Sequence, residues 1–133
     1  MNEQETKIFF ISGHRDITEE EFNNIYKPNI LNAHCYYNAK FIIGDYEGVD
    51  IMAQNYLLNE INVNPNNVTV CHMFEKPRNV NDKVINLIGG FKTDEERDAY
   101  MTNNSDEDIA FIRKNKWNSG TAQNILRRKT FIQ

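Results

Sequence analysis

The chain contains no run of apolar residues approaching bilayer length, which excludes a membrane-spanning helix. Its opening segment, Met1 to Lys7, is polar and lacks the apolar stretch of a secretory signal, so the expectation is a cytoplasmic protein. Cysteine is scarce. Cys35 and Cys71 stand in unrelated elements without paired spacing, which offers neither a disulfide framework nor a zinc motif and predicts buried free thiols. His14, His34 and His72 add no short ligand spacing, so no metal and no cofactor is expected. A basic surplus is missing as well: 15 Lys and Arg against 19 Asp and Glu give a formal charge of −4 and a pI near 5.4. Such a balance gives no general attraction for polymeric nucleic acid, so any phosphate site must be local. What is present is 40% apolar and 11% aromatic residues in 133 positions, enough for one packed domain over 1–133. Nothing in this composition fixes the oligomeric state, and a homo-oligomer is compatible with it.

Strand and helix patterns alternate along the chain. Lys7 to Ser12 is a short apolar run stopped by Gly13, as expected of a strand buried on both faces. Thr18 to Glu21 form a capping-box pattern ahead of Phe22, Ile25 and Tyr26 at helical spacing, and Pro28 predicts a kink or break in that helix. Lys40 to Gly44 repeats the strand-then-glycine pattern, and Val49 to Ile61 carries a helical period. Val68 to Phe74 reads as a third strand. Glu75 to Lys92 reads mainly as loop with one short helical piece near Val84 to Ile88. Thr93 to Glu96 is a second capping box, opening a helix to about Thr102. Asp108 to Arg113 supplies a fourth strand, and Ser119-Gly120-Thr121 introduces a last helix. This alternation implies an α/β fold, a Rossmann-like three-layer sandwich with a mainly parallel sheet.

In such a sheet the loops after the strands gather at the carboxyl edge, where these folds bind ligands. Ser12, Gly13, His14 and Arg15 form the first of these loops, and Arg15 offers a charge-assisted phosphate contact or a local pair with Asp16. Gly44, Asp45, Gly48 and Asp50 make a compact glycine turn feeding a helix, with either acid placed to accept from ribose hydroxyls, although the full G-x-G-x-x-G pattern is not there. Arg78 belongs to the third loop. Ser119, Gly120 and Thr121 can present a hydroxyl and bare amides at a helix start, which suits phosphate and equally an ordinary N-cap. Arg97 and Arg113 are candidates for a basic rim. Among Phe74, Phe91, Tyr100 and Trp117, the last is the best placed to stack on a base.

Taken together, Ile11 to Arg15, Phe41 to Asp45 with Gly48, Asp50 and Ala53, and Ser119 to Ala122 resemble the SLOG superfamily. That superfamily includes the lonely-guy phosphoribohydrolases, the DNA-processing protein A domain and related Rossmann-like nucleotide binders; nucleoside deoxyribosyltransferases are similar in layout. His72 to Phe74, Pro77-Arg78, Gly89 to Phe91, Glu96 to Asp98, Met101-Thr102 and Ser105-Asp106 resemble a small bacterial and viral group within it. The resemblance spans about Ile8 to Arg128 and implies a nucleotide site, adding Met73, Ser105 and Asp106 to its candidates. One departure matters. Lonely-guy enzymes carry a catalytic glutamate in a P-G-G-x-G-T-x-x-E loop, and here Asn124 stands at that position. An amide is neither base nor nucleophile. Catalysis would need another acid, with Glu96, Asp98 and Asp106 as candidates and the first two preferred. The expectation is therefore a module that binds or senses a nucleoside monophosphate or an NAD-derived metabolite, with an N-glycosidase acting on nucleoside 5′-monophosphates as the alternative. A surface serving protein partners alone would leave the polar loops without a shared purpose.

Overall fold

A computed structural model describes residues 5–36, 38–113 and 119–132. Five parallel strands form one sheet in the order β4-β3-β2-β1-β5: β1 Thr6–Ile11, β2 Asn38–Gly44, β3 Val68–Met73, β4 Asn86–Phe91 and β5 Glu107–Ile109. The chain steps from β1 outward to β4, then returns to place β5 on the other side of β1. The order therefore reverses between β1 and β5. The protein is an α/β Rossmann-like sandwich, and among the described residues no helix is long and apolar enough to cross a membrane.

The pleat of β1 and β2 divides the core. Phe9, Ile11, Phe41 and Ile43 point to one face, where they meet Phe22, Tyr26 and Ile30 of the first helix and Ala53, Tyr56 and Leu57 of the second. Phe10, Ile42 and Cys71 point to the other and meet Met101. Burying each such large apolar side chain is worth roughly 1.5–3 kcal/mol, so the central strands are fixed from both sides.

The first helical stretch, 19–36, opens with α1 Glu19–Glu21, passes through a π-helical turn Phe22–Tyr26 and continues as α2 Lys27–Tyr36. Thr18 and Glu21 close a reciprocal capping box at 3.0 Å each way. Pro28 neither breaks nor ends this helix. The Lys27 amide bonds back to the Phe22 carbonyl, one residue farther than in an α-helix, and the widened turn accommodates the proline. The second helix is α3 Val49–Asn55, extended by a π-helical turn Tyr56–Glu60. On the opposite face lie α4 Asp94–Asn103 and, beside it, α5 Gly120–Ile132.

Three sequence expectations are corrected. The segment Glu75 to Lys92, expected to be loop with a helical piece, contains β4, the outer strand beyond β3. The third strand ends at Met73, and Phe74 turns out of it with φ 52°. The last strand has three residues, not six, because the amides beyond Ile109 find other partners. Phe111 N–H donates to Tyr26 Oη at 2.9 Å, and Arg113 N–H to His14 Nε2 at 3.1 Å. A further correction concerns the thiols expected to be buried: Cys71 is buried in β3, but Cys35 is exposed because it falls on the solvent side of α2.

Candidate functional site

The reversal of strand order places the loop after β1 opposite the chain that follows β5, and Tyr26 ties the two together. Its hydroxyl donates to the Ser12 carbonyl at 2.8 Å while accepting from Phe111 N–H, and burial pushes its pKa upward, so it stays a neutral phenol. His14 is buried, with its Nε2 accepting from the Arg113 amide; the imidazole is therefore a neutral tautomer with its proton on Nδ1. Gly48 lies across this loop with φ 80° and ψ −126°, and a Cβ there would collide with the Arg15 and His14 backbone. Only glycine allows that approach.

Below the loops is a network of acids around one guanidinium. Arg97 is 4% exposed, and its Nη1 donates to Asp45 at 2.8 Å while Nε and Nη2 donate to Asp98 at 3.2 and 3.0 Å. Asp45 is fully buried at the end of β2. It also accepts the Arg78 amide at 2.7 Å and two guanidinium bonds at 3.2 and 2.9 Å. Burial pushes the Asp45 carboxyl up, but Arg78 and Arg97 outweigh it and hold the group below its ordinary value. Asp50 has weaker compensation. Burial raises it to about 7 despite Arg97 and the Tyr46 amide, which donates to it at 3.1 Å. Burial also raises Asp98 from its ordinary value, with Arg97 opposing.

The third wall is the start of α5. Ser119 Oγ accepts from the Ala122 amide at 3.2 Å, capping the helix, while Gly120 and Thr121 border the cleft. Among the described residues, a Cβ on Gly120 would meet no atom outside its own helical turn within 4 Å. Ser12 completes the arrangement: it lines the same cleft, is 6% exposed, and among the described residues its buried hydroxyl has no hydrogen-bond partner.

The cleft enclosed by these walls has a volume of about 400 Å³. Of the residues expected from sequence, it brings together Ser12, Gly13, His14, Arg15, Asp50, Arg97, Asp98, Ser119, Gly120, Thr121 and Asn124. Gly44, Asp45, Gly48 and Arg78 stand behind them as support. The Asn124 amide oxygen is taken by Arg127 at 2.7 Å.

Others belong elsewhere. Ser105 and Asp106 precede β5 and so lie at the opposite, amino end of that strand. Ser105 Oγ donates to the Met101 carbonyl and receives Arg128, and Asp106 exchanges hydrogen bonds with Ile8. Arg113 is no phosphate rim: it holds Glu21 and, at 2.8 Å, Asp16, and its hydrogen bonds bring the Glu21 carboxyl down to about 2. Met73 is buried in β3, away from the cleft lining. Glu96 is exposed on the first turn of α4, its carboxylate accepting the Lys92 amide at 3.4 Å, and it takes no part in the cleft. Phe91 and Tyr100 pack on each other at 5.3 Å, and Trp117 lies outside the described residues. Sequence reasoning overlooked Phe10, Asp16, Tyr46, Asp94 and Met101 as lining residues. Tyr46 and Asp94 flank expected site residues at the ends of a strand and a loop, and position at the carboxyl edge was the signal available for both.

Fold and cleft together define a Rossmann-like α/β protein with a polar pocket at its topological switch point. Comparison of the chain with models of known protein families, with curated proteins and with solved structures finds no match.

Proposed function

We propose that the switch-point cleft binds a nucleotide, a nucleoside monophosphate or an NAD-derived metabolite, with its phosphate at the start of α5 and its sugar toward Asp50 and Asp98. The observation that carries this is the Ser12 hydroxyl, buried in the cleft wall and without a partner among the described residues, since a buried polar group without a hydrogen bond is costly unless a ligand completes it. The α5 amides and helix dipole favour an anion at the same place. A cleft of about 400 Å³ is at the smaller end of the range for small-molecule sites, roughly 300–1,000 Å³. The resemblance to SLOG nucleotide binders in Ser12 to Arg15 and Ser119 to Ala122 supports the same reading. Calorimetric titration with the four nucleoside 5′-monophosphates and ADP-ribose tests it, alongside Gly120→Val. The substituted side chain meets none of the described residues beyond its own helical turn and would occupy the phosphate position, so binding should be lost while the fold survives. Unchanged affinity in that variant removes the α5 start from the site.

A second reading, N-glycosidase action on a nucleoside 5′-monophosphate, is favoured by one observation. Asp98 is in the cleft with its carboxylate held by Arg97, where an acid that stabilises an oxocarbenium-like ribosyl centre would stand. Chromatography for free base after incubation with the same nucleotides decides between binding and cleavage.

A further inference from the structure

Tyr46 follows Asp45 at the end of β2 and lines the cleft, half-buried, with the Arg78 guanidinium 4.9 Å from its ring centroid. That guanidinium is not a loose surface partner. Three hydrogen bonds join Arg78 to the buried Asp45, one from its amide and two from its side chain, and Arg78 Nη2 reaches Asp94 at 3.2 Å. The ring is also held at its other two ends. The Tyr46 amide donates to buried Asp50, and its hydroxyl accepts from Arg15 Nη1 at 3.4 Å. An aromatic ring fixed by backbone, hydroxyl and one face, in the wall of a ligand-sized cleft, is preorganised and loses little freedom when a second flat ring is laid on it.

Charge narrows what that second ring can be. The cleft lining carries Arg15 and Arg97 against Asp16, Asp50, Asp94 and Asp98, and Arg97 is already engaged by Asp45 and Asp98. The lining therefore suits a ligand with one anionic group and a neutral, hydrogen-bonding remainder better than a polyphosphate. With Arg78 already drawing on its electrons, the Tyr46 ring favours a neutral aromatic heterocycle over a cation as its second partner.

We propose that Tyr46, braced by Arg78, is the stacking platform for the ligand's base, and that it makes the site selective for a ligand with an aromatic base over its bare sugar phosphate. This rests on the nucleotide reading above. The test titrates adenosine 5′-monophosphate and ribose 5-phosphate into the wild-type protein, Tyr46→Phe and Tyr46→Leu. Loss of a base–aromatic stack should weaken the nucleotide about tenfold in Tyr46→Leu, with ribose 5-phosphate unchanged and Tyr46→Phe within about twofold of wild type. Equal weakening of both probes overturns the stacking role and leaves the nucleotide site standing. Should Tyr46→Leu fail to fold, the absorbance of the nucleotide bound to wild type and to Tyr46→Phe decides: hypochromism near the base absorption band supports the stack, and its absence overturns it. If wild type binds ribose 5-phosphate as tightly as adenosine 5′-monophosphate, the stacking role fails alone; if it binds none of the four monophosphates and no ADP-ribose, the nucleotide reading fails and this inference with it.

Discussion

Arg97 donates to Asp45 at 2.8 Å across 52 residues of sequence, joining α4 on one face of the sheet to the end of β2 at its centre. Both groups are withdrawn from water, so each depends on the other's charge. Removing one partner of a buried pair leaves an uncompensated charge, at a cost of about 3–5 kcal/mol. Asp45→Ala should approach that range because it leaves Arg97 only Asp98 and the more distant Asp94 and also releases Arg78. Arg78→Ala should cost about 1 kcal/mol, since that side chain is 36% exposed and Asp45 keeps Arg97. Urea unfolding of both variants checks the ordering, and a milder loss in Asp45→Ala than in Arg78→Ala would contradict it.

The carboxyl of Asp50 predicts a pH dependence of the opposite sign to that of Asp45. Its folded pKa is raised from an ordinary 3.8 to about 7, so between those values the folded state binds more protons than the unfolded chain. Stability from this group is complete below about pH 4, falls as pH rises through 7, and changes no further above it. Asp50→Asn keeps the shape and cannot ionise. Its stability relative to wild type should therefore rise between pH 4 and 7 by on the order of a few kcal/mol. Parallel wild-type and variant curves in denaturant unfolding across that interval would show that Asp50 is not held protonated.

Much of this arrangement is legible in the sequence. Lys7 to Ser12 and Lys40 to Gly44 read as buried strands because both faces of the sheet are covered there, so their side chains are apolar almost without interruption. β4 is not legible for the converse reason. It is an outer strand whose face at Leu87 and Gly89 is exposed, and Asn86, Gly89 and Gly90 are residues that strands otherwise disfavour. The length of β5 is set by Tyr26 and His14, side chains from distant elements that capture the amides beyond it, and nothing within Asp108 to Arg113 announces that. In the cleft, the glycines and hydroxyls of Ser12 to Arg15 and Ser119 to Thr121 converge as the strand-to-loop pattern implies. Arg113 goes elsewhere because Asp16 and Glu21 stand beside it, a matter of three-dimensional neighbours that charge counting in one dimension does not reach.

Two glycines share a left-handed φ and differ in their surroundings, which separates two costs. Gly48, at φ 80°, is pressed against the Arg15 backbone, whereas at Gly90, with φ 90°, an added Cβ would find nothing within 4 Å among the described residues. Gly90→Ala should cost about 1 kcal/mol, the conformational part alone. Gly48→Ala should cost at least about 2–3 kcal/mol and also weaken nucleotide binding, because the first loop must move. Equal losses in thermal or urea unfolding would mean that the loop after β1 yields without effort.

Arg15 is exposed at the mouth of the cleft, and its long hydrogen bond to Tyr46 leaves it able to reach a phosphate. A charge-assisted contact there is worth roughly 1.5–3 kcal/mol when partly shielded from water. Arg15→Ala should therefore weaken a nucleoside monophosphate about tenfold or more and its dephosphorylated nucleoside little. Equal weakening of the two in calorimetry would make Arg15 an organiser of the loop and not a reader of phosphate.

The final expectation concerns chemistry. Of the two acids that the sequence puts forward for catalysis, Glu96 lies on the solvent side of α4 and Asp98 lines the cleft with Gly13 and Gly120. Arg97 gives Asp98 two hydrogen bonds, at 3.0 and 3.2 Å, through one carboxylate oxygen, Oδ1. Burial raises its pKa while Arg97 restrains that rise, so the group is poised to gain or lose a proton closer to neutrality than an ordinary aspartate. Asp98→Asn preserves size and one acceptor for Arg97, whose charge remains balanced by Asp45, so the fold should survive and nucleotide binding should weaken but remain measurable. If the wild-type protein releases free base from a nucleoside 5′-monophosphate, that release should fall at least about a hundredfold in Asp98→Asn and be unaffected in Glu96→Gln. Base release that persists in Asp98→Asn would place the chemistry on another residue, and binding without release in wild type would leave Asp98 as a ribose contact in a sensing module.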